Sequence, residues 1–98
     1  MLQDKAKMKM NGYVDSIAMA ARKNENFRQV LFTSTNLQLI LMTLNPKEEI
    51  GSDMHESVDQ FFHIEVGEAK FIFNRKEEHL ANAGEIVIVY IDIATPPI

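Results

Sequence analysis

The chain has 98 residues, no cysteine and a formal net charge of −4. That length fits one domain around one core, and 46% hydrophobic residues are enough to build it. The missing cysteines exclude disulfides, thiolate metal sites and cysteine nucleophiles, and the mild negative charge argues against a nucleic-acid or anionic-membrane surface.

In chain order, residues 1–26 read as an N-terminal arm. Its three lysines at Lys5, Lys7 and Lys9 lack aromatic partners and are taken as solvated. Asn11-Gly12 is a turn signal. Residues 13–23 have the composition of one or two helical turns, with Asp15 or Ser16 as cap and Arg22 and Lys23 at the C-terminal end. Such a segment is too short to be stable alone, so it is expected to pack on the body of the domain.

From Phe27 the pattern changes to strands. Residues 28–34 and 36–44 predict two of them. The second is apolar at nearly every position, as expected for a strand covered on both faces. Asn45-Pro46-Lys47 predicts a turn, and Gly51 another break. Residues 59–66 and 69–73 flank Gly67-Glu68, which predicts a tight hairpin with glycine where a positive φ is wanted. Residues 74–77 form a second polar turn leading into Glu78-His79-Leu80. Residues 82–85 form a third, before a β-branched strand at 86–89, and residues 90–93 continue it or begin another. Short strands at this spacing imply an all-β sandwich or barrel over residues 27–98. No apolar run is long enough to cross a bilayer and no h-region follows the N-terminal lysines. The expectation is therefore a cytoplasmic protein of one domain, residues 1–98, without membrane or nucleic-acid partners.

The segment from Gly51 to Gly67 holds the chemistry. Strand alternation puts Gln60, Phe62 and Ile64 on one face and Phe61, His63 and Glu65 on the other. The apolar pair Phe62 and Ile64 marks the first face as inward, so Gln60 needs a polar partner there. His63 is expected to face out beside Glu65, and His79 to be solvated. Phe61, Phe62, Phe71 and Phe73 are expected in the core, with a ligand pocket as the alternative role.

The same segment resembles the first motif of the cupin superfamily. That motif has two His separated by one residue, then a Glu, then a Gly. Gly67 takes the closing Gly place, Gln60 stands where the family has Glu, and His55 where it has the second His. Asp53 stands where it has the first. The flanks at 37–44, 46–51, 58–62, 67–68 and 83–85 are similar to small single-domain cupins of the mannose-6-phosphate-isomerase-like group. The resemblance covers most of residues 12–89. It implies a cupin-type double-stranded β-helix, a jelly-roll barrel, with a divalent metal held by His55, Asp53 and Gln60. Phe62 and Ile64 would line the pocket. An all-nitrogen-and-oxygen set suits Mn, Fe, Ni, Zn or Co.

The resemblance also implies a small-molecule ligand of the sugar or organic-acid class, an isomerase-like reaction and a homodimer. No phosphate-binding group accompanies the isomerase reading. The replacement of family ligands by Asp53 and Gln60 favours an alternative, a non-catalytic binding or sensing module with a degenerate metal site. The second cupin motif is absent, as if a strand–turn–strand unit were lost after Val89. Either residues are left out of the sequence there or the unit is deleted. The first is preferred, because a deletion would expose two barrel edges.

Overall fold

The computed structural model describes residues 9–51 and 58–91. They are mostly strand, with one helix, and the chain divides into two compact units, Met1–Thr43 and Leu44–Ile98.

The first unit contains helix α1 (Ile17–Lys23) and strands β1 (Arg28–Thr33) and β2 (Gln38–Met42). Ser16 is the cap, its hydroxyl accepting from the Met19 N–H at 3.3 Å, and Arg22 and Lys23 occupy the last turn, where the helix dipole favours cations. The helix packs against β2, which supplies the covering element expected for that apolar strand. β1 and β2 pair antiparallel from Arg28↔Met42 to Thr33↔Gln38, with a one-residue irregularity between Val30 and Phe32. Leu41 is the core residue here, 6% exposed. The Tyr13 ring stacks on Phe32 with centroids 4.8 Å apart.

Asn24, 7% exposed, ties the unit together. Its side-chain amide donates to Asn26 O at 2.8 Å and to Thr43 Oγ1 at 2.9 Å, and its Oδ1 accepts from the Asn26 N–H. The Thr43 hydroxyl in turn donates to Asn24 O at 2.9 Å. A buried amide with these partners repays its desolvation, and it joins the end of α1 to the end of β2.

The second unit is a folded two-stranded ribbon. Its strands are β3 (Gln60–His63), β4 (Glu68–Phe73), β5 (Glu77–Asn82) and β6 (Ile86–Val89). β4 pairs with β5 and β3 with β6, both antiparallel. The hairpin expected at Gly67-Glu68 is therefore corrected: β3 and β4 do not pair with each other. Gly67 does take a positive φ, 81°, but at a corner. There the Ile64 N–H donates to Glu85 O, the Gly84 N–H to Ile64 O and the Ala83 N–H to Gly67 O. The first arm carries one more residue between its strands than the second, 64–67 against 83–85. That extra residue flips the alternation, so Phe62 and Ile64 before it and Phe71 and Phe73 after it lie on the same, half-buried face. Phe62 and Phe71 meet edge to face across the corner, with centroids 5.2 Å apart.

The ribbon's tip is a turn whose central residues, Asn74 and Arg75, both have positive φ, as a type I′ turn requires. Its Lys76 N–H donates to Phe73 O at 3.1 Å. The turn at 45–48 closes from the Glu48 N–H to Asn45 O, and Lys47 takes the positive φ at its third position.

The strands form three two-stranded sheets, and no barrel closes among the described residues. Residues 58–91 run unbroken, so Val89 leads directly to Tyr90 and Ile91.

Candidate functional site

Of the expected metal ligands, Asp53 and His55 lie outside the described residues. Gln60 is the first residue of β3, paired with Val89, and half-buried on the same face as Phe62 and Ile64. Its side-chain amide has no hydrogen-bond partner among the described residues. Phe62 and Ile64 follow on that face, with Val87 opposite Phe62. Among the described residues no group of three His, Asp or Glu side chains is close enough to hold a metal.

The other face of β3 is as expected. His63 Nδ1 lies 3.4 Å from Glu65 Oε2, a partly exposed pair. Phe61 does not join the core. It is 64% exposed, because it shares the outward face with His63.

Sequence reasoning missed the position of His79. It is exposed, as expected, yet it stands on the ribbon's inward face, directly opposite Phe71, with its ring centroid 5.1 Å from that of Phe73. Alternation with Ala81, 4% exposed and the most buried residue of β5, gives its face only once β5 is known to be a strand, and the polar Glu77-Glu78-His79 carries no such signal in the sequence. A hollow of about 290 Å³, open to solvent, lies beside His79, lined by Phe73, residues 79–81, Glu85 and the strand residues 86–88. Glu85 is held in place at the corner, where one carboxylate oxygen accepts from the Asn82 N–H at 2.6 Å.

The chain is 37% identical to the uncharacterised protein YrkC of Bacillus subtilis (strain 168) over 68 residues, which is 69% of this chain and 37% of that protein. It is 34% identical to the uncharacterised protein L612 of Acanthamoeba polyphaga mimivirus over 79 residues, 79% of this chain and 49% of that one. The chain thus spans half or less of the length of these curated relatives. No family model matches the chain, and no solved structure matches it. No helix among the described residues is long and apolar enough to cross a membrane. The chain is a β-rich protein similar to these two bacterial and viral proteins.

Proposed function

We propose that the chain is a cupin-type domain that binds a divalent metal through His55, with Asp53 and Gln60 as further ligands, and takes a small polar molecule of the sugar or organic-acid class. The observation that supports this reading is Gln60. A half-buried amide with no protein partner among the described residues stands at the head of an apolar ladder, on the inward face that a metal ligand needs. The nested pairing of β3 with β6 around β4 with β5 is also the way a long hairpin folds into a jelly roll. The bound metal supplies Lewis-acid polarisation of a carbonyl, or orientation of a hydroxyl. Gln60 would offer its amide oxygen to the metal, with Phe62 and Ile64 lining the half-buried face beside it.

The test is equilibrium dialysis of the full chain against manganese, nickel or zinc. Stoichiometric binding is expected, weakened about tenfold or more in Gln60→Ala, on the scale by which disturbing a metal's supporting residues lowers affinity. Equal binding by parent and Gln60→Ala would remove Gln60 from the site.

A second reading is a non-catalytic small-molecule binding module. The neutral amide at Gln60 favours it, because a carboxamide binds a divalent ion more weakly than the carboxylate it replaces. Under that reading a ligand still shifts the signals of Phe62 and Ile64 in the absence of any metal. Self-association into a homodimer is part of both readings. The exposed Phe61 and Ile88, paired across β3 and β6, supply an apolar surface for it.

A further inference from the structure

We propose that the hollow beside His79 and Glu85 is a binding site for small organic amines, a cationic head on an apolar body. The proposal uses none of Asp53, His55 or Gln60 and stands independently of the metal reading. Its walls are Phe73, Ala81 and Val87, apolar side chains of the ribbon's inward face. Its polar groups are two. Glu85 is fixed by the Asn82 N–H on one carboxylate oxygen, so the second oxygen is presented without the entropy cost of ordering a free side chain. His79 has no hydrogen-bond partner among the described residues, and its ring nitrogens stand at the hollow. No lysine or arginine lines the hollow. A carboxylate and an imidazole acceptor without a neighbouring cation select a ligand that donates hydrogen bonds and carries positive charge, and the same arrangement repels a carboxylate ligand. The hollow, about 290 Å³ and open to solvent, receives the head and one side of a small amine and leaves its other side in water.

The probes are 2-phenylethylamine and phenylacetate, matched in size and opposite in charge, titrated separately into the full chain and followed by NMR. The amine is expected to shift the His79, Ala81 and Val87 signals saturably at millimolar concentration, while phenylacetate leaves them in place. Glu85→Gln keeps an acceptor for the Asn82 N–H but removes the charge. It is expected to weaken amine binding about tenfold, the scale of a hydrogen bond to a charged group. His79→Phe keeps the apolar wall and removes the acceptor, with a several-fold loss expected. The proposal is overturned by absence of a saturable shift with the amine, by an equal response to phenylacetate, or by unchanged affinity in Glu85→Gln. If Glu85→Gln does not fold, His79→Phe decides, and unchanged affinity there overturns the proposal.

Discussion

At the scale of single residues, Asn24 carries the most consequence in the first unit. Its amide is buried and bonded at both ends, so Asn24→Ala removes three side-chain hydrogen bonds, two with Asn26 and one to Thr43 Oγ1, while the Thr43 hydroxyl keeps its bond to the Asn24 backbone carbonyl. Leaving a buried polar group unsatisfied costs roughly 1–3 kcal/mol, and a loss of that size is expected in urea denaturation. An unchanged midpoint would show that water replaces the amide. Tyr13 and Asp15 give a pH-dependent test in the same unit. The Tyr13 hydroxyl donates to Asp15 Oδ2 at 2.7 Å, and the Ser16 N–H donates to Oδ1 at 2.7 Å. These bonds, the tyrosine's first, hold the Asp15 carboxyl below its usual range, and the same bond raises the Tyr13 hydroxyl. A depressed carboxyl contributes stability above its unfolded pKa and loses it as pH falls through the folded value. Tyr13→Phe is expected to move the Asp15 titration upward in an NMR pH series, and an unmoved titration would mean that the hydroxyl bond is not formed in solution.

At the scale of elements, the turns offer the sharpest comparison between sequence and structure. Arg75 holds a φ of 65° at the ribbon tip, a region that costs a side-chain-bearing residue roughly 1–2 kcal/mol. Glycine escapes that strain but gives up some of the gain to its larger unfolded-state entropy. Arg75→Gly is therefore expected to stabilise the chain by about 0.5–1 kcal/mol in a denaturation experiment, and a loss of stability would contradict the left-handed turn. Helix α1 and strands β1, β2 and β6 were legible because cap residues, apolar runs and β-branched residues act locally. The partner of β3 was not. A glycine with positive φ at Gly67 satisfies a hairpin and a corner equally, and the choice rests on pairings with residues 83–85, which lie far along the chain. β5 was hidden for a similar reason: Glu77-Glu78-His79 is polar, and only its pairing with the apolar β4 makes it a strand.

At the scale of the whole molecule, the inward face of the ribbon is the structural basis for both proposed sites. Alternation alone identified Gln60, Phe62 and Ile64 as sharing that face, and they do. The position of His79 was not read from the sequence, because β5 had no strand signal from which to count. The sheets are two-stranded among the described residues. The most direct test of the account is the metal content of the full chain purified without chelator, beside His55→Ala prepared in the same way. The account predicts stoichiometric divalent metal in the parent and its loss in His55→Ala, with the fold retained by circular dichroism. A metal-free parent that also takes up no manganese, nickel or zinc on dialysis, or a His55→Ala chain with undiminished metal, would contradict it.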